Sequence, residues 1–161
     1  ATANGYIVVT DLAQADLAIV RVNAPGEQDP RFPFGSIHFG QLGFASADQV
    51  VQETAHEGIY RGADEYAAIQ AVAQAGVPMV LSVYLDRPAI LTEVAPAAQV
   101  LPANFGALDQ ALFDVISGKV KASGKLPFEL PSSWQAVQNQ HPDVAKDSAN
   151  PLYPYGAGLA Y

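Results

Sequence analysis

The chain has no cysteine. A disulfide framework, a thiolate metal site and a cysteine nucleophile are therefore excluded, while the compartment stays open, because exported bacterial proteins also do without cysteine. Basic residues are scarce: 8 Lys and Arg stand against 16 Asp and Glu, a formal net charge of −8. A polyanion would be repelled by that field and no basic cluster interrupts it, so nucleic acid is not expected as a partner. No apolar run approaches the ~20 residues of a membrane-spanning helix, and no membrane partner is expected either. There is no Gly-x-Ser-x-Gly elbow, which disfavours an α/β-hydrolase. Val22-Asn23-Ala24-Pro25-Gly26 has neither the repeated glycines nor the lysine of a phosphate loop. His38, His56 and His141 lie too far apart in sequence for a metal-ligand spacing. Neither a metal nor a cofactor is expected. The start, Ala1-Thr2-Ala3-Asn4, lacks both an initiator Met and a signal peptide, which predicts that further sequence has been removed upstream.

What is present reads as one globular domain. The 161 residues are 50% hydrophobic and 15% charged, enough to build a core and too apolar for disorder. Asp16 to Val22 is a β-branched run expected as a buried strand, and Gly5 to Thr10 a further strand or strand end. From residue 23 to 62, prolines and glycines punctuate the chain and aromatics are scattered between them. That texture predicts an irregular, functional segment, with a short helix over 47–56 from the capping-box spacing of Ser46 and Gln49. Asp64 is expected to cap a helix with Ile69, Val72, Ala73 and Gly76 on one face, ended by Gly76 and Pro78. Val77 to Leu85 reads as a central strand, Asp86-Arg87-Pro88 as a turn and Ala97 to Leu101 as a shorter strand. Leu108, Ala111, Leu112, Val115 and Ile116 mark an amphipathic helix. Leu126 to Leu130, between prolines, is expected as an edge strand. Beyond Pro131 a polar, Pro-rich tail containing Trp134 is expected to wrap the surface or dock on a neighbour. The alternation predicts an α/β fold, a three-layer α/β/α sandwich on a mostly parallel sheet of flavodoxin-like topology.

Three ordered blocks resemble glycoside hydrolase family 3. Val80-Leu-Ser-Val-Tyr-Leu-Asp-Arg-Pro88 is similar to the family's apolar strand with a small-Arg-Pro turn. Ala103-Asn104-Phe105-Gly106, the helix to Ile116, and Ser123-Gly124-Lys125-Leu126-Pro127 follow its loop, helix and Pro-Ser-Gly-Lys-Leu-Pro pattern, with Ala122 in place of the usual Pro. Leu152-Tyr153-Pro154-Tyr155-Gly156-Ala157-Gly158-Leu159-Ala160-Tyr161 resembles its ending Tyr-Pro-Phe-Gly-x-Gly-Leu-Ser-Tyr. The resemblance implies a C-terminal domain of a β-glucosidase-like enzyme in the periplasm or outside the cell. Its partners would be a carbohydrate and an N-terminal (β/α)8 barrel.

In that family the nucleophilic aspartate belongs to the barrel, which 161 residues cannot contain beside this domain. The chain alone is therefore expected to be inactive. The resemblance further implies that a loop after the strand ending at Val22 can supply the acid/base of a retaining mechanism. Glu27 and Asp29 are the candidates there, with Glu53, Glu57 and Asp64 behind them. A solvated carboxylate at Glu27 and a turn role for Asp29 before Pro30 are the competing readings. Arg31, Phe34 and His38 are candidates for substrate binding, with Phe32 and Phe39 beside them. Against stacking on sugars stands the reading that these phenylalanines anchor a long loop to the core. Two other functions stay open: a stand-alone carbohydrate-binding or interaction module, and a flavodoxin-like cofactor binder.

Overall fold

A computed structural model describes residues 1–28, 38–39, 42–44, 59–61 and 63–159. Its centre is a parallel sheet in the order β1 (Ala18–Asn23), β5 (Met79–Tyr84), β6 (Ala103–Asn104). Between the first two in sequence come β2 (Gly26–Gln28), β3 (His38–Phe39), β4 (Ile59–Arg61) and the helix α1 (Ala63–Ala75). After β6 follow α2 (Asp109–Ile116) and α3 (Trp134–Gln138).

β1 and β5 run in register from Ala18 opposite Met79 to Asn23 opposite Tyr84. Both faces of β5 are buried, as its unbroken Met-Val-Leu-Ser-Val run requires. One face, carrying Ala18, Val22, Met79, Leu81 and Val83, packs with Ile69 and Val72 of α1. On the other face Arg21 reaches the start of α2, where its guanidinium binds the Asp109 carboxylate and the Ala107 carbonyl. α1 thus covers one side of the sheet and the start of α2 is tied to the other, and the expected α/β fold is the one observed.

α1 ends as its sequence predicts, with Gly76 at φ 70 donating its N–H to the Ala73 carbonyl. Asp64 lies in the first turn of α1 rather than at its N-cap, where its charge still favours the helix dipole. The helix expected over 47–56 lies outside the described residues.

Other elements differ from expectation for identifiable reasons. Gly5 to Thr10 forms no strand; a 3-10 turn at Thr2–Asn4 precedes it, and Tyr6 leans on Phe113 of α2 with ring centroids 5.8 Å apart. Ile7 is 91% exposed, and no described strand pairs with residues 7–9. The strand expected over Ala97 to Leu101 is reduced to a bridge of Val100 with Val80, because a 3-10 turn around Pro96 takes Ala95–Ala97. The chain joins β5 only afterwards, through Gln99 N–H to Met79 carbonyl and Leu81 N–H to Val100 carbonyl, each 2.9 Å. Pro102 has no N–H to give the ladder, so regular pairing is confined to Ala103–Asn104. The edge strand expected over 126–130 is reduced to an antiparallel bridge of Leu130 with Tyr153, because Pro127 and Pro131 remove donors. α3 was not expected; its Ser133 cap, accepting the Ala136 N–H at 3.1 Å, was the available signal.

The tail docks by the two glycine-containing blocks. Leu126 donates to the Ala157 carbonyl at 2.8 Å and accepts from Gly156 at 3.0 Å. A Cβ on Gly158 would collide with the Gly124 carbonyl oxygen and lie 2.9 Å from Lys125 Cδ. Backbone on that side does not yield as a side chain does, so Gly158→Ala is expected to cost about 1–3 kcal/mol of stability. Urea unfolding of this chain measures it; a change below about 0.5 kcal/mol, the level of an ordinary surface substitution, would mean the two blocks are not held in contact.

Candidate functional site

In parallel α/β sheets, ligands meet the groups at the carboxyl ends of the strands. β1, β5 and β6 bring three chain segments to that end. The first leaves β1 at Asn23, and Ala24 donates to the Tyr84 carbonyl at 2.9 Å. Pro25 is fully buried and the chain turns straight into β2. That strand is the middle of a small antiparallel sheet, β3-β2-β4. Glu27 stands opposite Phe39 and Tyr60, and Gln28 opposite His38 and Ile59.

Two of the expected site residues, Glu27 and His38, therefore sit on adjoining strands in neighbouring registers. Asp29, Arg31 and Phe34 lie outside the described residues, as do Phe32, Glu53 and Glu57. Asp64 opens the helix that returns the chain from this end of the sheet, and it is exposed. The chain between 23 and 62 was expected to be irregular, yet its described residues include three short strands. With two or three residues each, they leave no alternation long enough to read. For Phe44, at the end of the aromatic segment, anchoring is what is observed: it is 2% exposed within the core cluster.

The second segment is the Asp86-Arg87-Pro88 turn after β5. Arg87 is half-buried and its Nη2 donates to the Pro25 carbonyl oxygen at 3.3 Å. The third follows β6. Asn104 is buried, donates through Nδ2 to Ser82 Oγ at 3.0 Å and accepts the Gly106 N–H at 3.2 Å. Such a buried polar pair is stable because each group is partnered. It leaves Phe105 turned outward, 53% exposed, with an edge-on contact to Phe128 at 5.9 Å.

A cleft of about 530 Å³ opens beside these segments, lined among others by Arg87, Pro88, Phe128, Glu129, Lys146 and Tyr155. Lys146 Nζ stands 3.7 Å from the centroid of the Tyr155 ring, a cation–π contact. The loop carrying Lys146 is tied at its base. Asp147 accepts the His141 N–H at 2.8 Å and faces His141 Nδ1 at 3.1 Å, while Ser148 N–H reaches Glu129 at 3.1 Å. Arg87, Asn104 and Tyr155 all fell inside the sequence blocks read as structural, and their polar or aromatic character at strand ends and turns was the signal that could have singled them out.

The His141 N–H, donated to its carboxylate, holds Asp147 below the usual aspartate range. A depressed carboxyl pKa contributes stability above its unfolded value and loses it as pH falls through the folded one. Loop 141–148 is therefore expected to loosen only in acid, below the ordinary aspartate range near 3.8. Faster amide exchange at His141 below that pH, absent in Asp147→Asn, is the measurement; a wild-type His141 rate that follows intrinsic chemistry throughout would contradict it.

Chemically, the arrangement offers a carboxylate-bearing strand, aromatic surface and a guanidinium at one end of a rigid sheet. Among the described residues, no three His, Asp or Glu side chains gather as a metal site, and no helix is long and apolar enough to cross a membrane. Comparison with known proteins agrees with this architecture. A periplasmic beta-glucosidase/beta-xylosidase of Dickeya chrysanthemi is 41% identical over 160 residues, 98% of this chain and 22% of that protein. Beta-glucosidase C of Emericella nidulans is 35% identical over 160 residues, covering 99% of this chain and 23% of that protein. The structure of a beta-glucosidase from Listeria innocua in complex with gluconolactone superposes with a TM-score of 0.62 over 93% of this chain and 21% of that one, at 15% identity. That last likeness is one of fold. The chain thus spans less than a quarter of each relative's length. The family model described as glycosyl hydrolase family 3 C-terminal domain matches residues 6–161, and the chain belongs to that family.

Proposed function

We propose that residues 1–161 act as one domain of a longer retaining β-glycosidase, forming a wall of its active-site cleft. A (β/α)8 barrel in the same polypeptide supplies the nucleophile. Glu27 is the acid/base, with Asp29 the second candidate, and Arg31, Phe34 and His38 contact the sugar. The observation that carries this reading is the position of β2: it leaves the carboxyl end of β1 after a buried corner, with Glu27 at its middle register. A retaining mechanism needs a second carboxylate about 5 Å away, on the other side of the scissile bond. The names of the relatives, beta-glucosidase and beta-xylosidase, support β-glucosides or β-xylosides as the substrate class. The periplasmic naming of the Dickeya relative supports a periplasmic or extracellular location.

The reading is tested on the isolated chain and the full-length protein together. The chain alone should release no aglycone from aryl β-glucosides and show no calorimetric binding of glucosides, whereas the full-length protein hydrolyses them. Turnover by the chain alone would refute the division of labour. Tight glucoside binding by the chain, with no hydrolysis by the longer protein, would instead identify a carbohydrate-binding module.

A further inference from the structure

The Asp86-Arg87-Pro88 turn has a task that the fold by itself does not require. Pro25 is fully buried and lacks an N–H, so the corner between β1 and β2 has few groups with which to fasten itself. Its carbonyl is a buried acceptor and needs a donor. Arg87 supplies that donor from a strand end 62 residues away in sequence. Beside it, the Ala24 N–H is taken by the Tyr84 carbonyl at 2.9 Å. Two bonds from the end of β5 thus grip the two residues that precede Gly26, and Glu27 follows immediately. Arg87 also lines the cleft of about 530 Å³, so one side chain both borders that open space and holds the corner that precedes β2.

We infer that Arg87 is a positioning residue for the glycosidic reaction. It touches no reacting atom; it fixes the height of β2, and with it Glu27, relative to the sheet end. The inference rests on the reading of Glu27 as acid/base. A guanidinium suits the task better than an ammonium: its planar fork can hold one carbonyl while its other donors engage elsewhere, and it is always charged. Proton transfer to a leaving oxygen is sensitive to placement. A misplacement of about 1 Å from a remote substitution can lower a rate by about 100-fold.

The test uses Arg87→Met and Arg87→Lys in the full-length protein, with two readouts. The first is kcat/KM for substrates with poor alkyl leaving groups against activated aryl ones. Alkyl substrates, which need the proton, should lose about 10- to 100-fold in Arg87→Met, and activated ones less than about threefold. Arg87→Lys should fall between wild type and Arg87→Met. The second readout is amide exchange of the peptide covering residues 24–28, which should quicken by at least about tenfold in Arg87→Met, the equivalent of about 1.4 kcal/mol. Equal losses on both substrate classes, or unchanged exchange, would overturn the inference. If Glu27→Gln itself shows no dependence on leaving group, the acid/base reading fails, and with it the catalytic half of this inference; the exchange rates still decide whether Arg87 holds the corner. Should Arg87→Met fail to fold, Arg87→Lys carries both measurements.

Discussion

Glu27→Gln in the full-length protein should lower kcat/KM for alkyl β-glucosides by about 100- to 10,000-fold, the range that general acid catalysis contributes. An alkoxide leaves poorly without a proton, and the glutamine amide has none to give. Activated aryl glucosides depart unaided, so their kcat/KM should fall by less than about tenfold, that is by less than about 1.4 kcal/mol of barrier. Their kcat should fall further, because the same carboxylate serves as base when water attacks the glycosyl-enzyme. Azide needs no base and should restore kcat for the aryl substrates, yielding glycosyl azide with retained configuration. The acidic fall-off of kcat/KM should be untouched if it belongs to the barrel nucleophile, while the alkaline fall-off, which reports the proton on Glu27, should disappear. Identical losses for alkyl and aryl substrates, with no azide rescue, would return the role to Asp29, Glu53, Glu57 or Asp64. Each is then tested by the same pair of substrates. Asp64 is the easiest to dismiss, since an exposed residue in the first turn of α1 already has a helix-dipole role.

The parts of this fold that were legible in the sequence are those where one physical rule dominates. Met79 to Tyr84 is an unbroken apolar run buried on both faces, and no other element type suits it at that length. Gly76 marks the end of α1 because only a glycine takes φ 70 there without cost. The illegible parts are those where rules compete. Val100 lies beside Val80 in the sheet, but Pro96 and Pro102 on either side break the ladder, so the five residues of strand-like texture from Ala97 to Leu101 yield one bridge, and the two-residue strand comes after them at Ala103–Asn104. Ile7, Val8 and Val9 have every strand propensity and no neighbour among the described strands to pair with; propensity alone does not make a sheet. The site divides the same way. Glu27 is proposed from its place after a strand, whereas the contact that singles out Arg87 is not visible in the sequence, because its partner, the Pro25 carbonyl, is 62 residues distant and carries no side-chain signature.

The largest effect on stability is expected at Leu81. It is fully buried at the middle of β5, opposite Val20 of β1 and packed in the cluster that joins the sheet to α1. Leu81→Ala deletes three carbons from a close-packed cluster whose other side chains are held on the paired strands and on α1, so the cavity has little means of closing. A cost of about 2–5 kcal/mol follows, against a total that is about 5–15 kcal/mol for a domain of this kind. Urea unfolding should show the midpoint falling with the slope unchanged. Ile7→Ser, at the 91% exposed end of the range, should change stability by less than about 0.5 kcal/mol in the same chain. A cost below about 1 kcal/mol at Leu81 would mean that the parallel sheet is not the core of the domain. The consequence reaches the site, because the Ala24 to Tyr84 bond and the Arg87 to Pro25 bond both leave from the end of β5. In the full-length protein, a variant softened at Leu81 should therefore lose activity on alkyl substrates at temperatures where its circular dichroism is still native. Parallel loss of both signals would show that β5 positions nothing beyond its own packing.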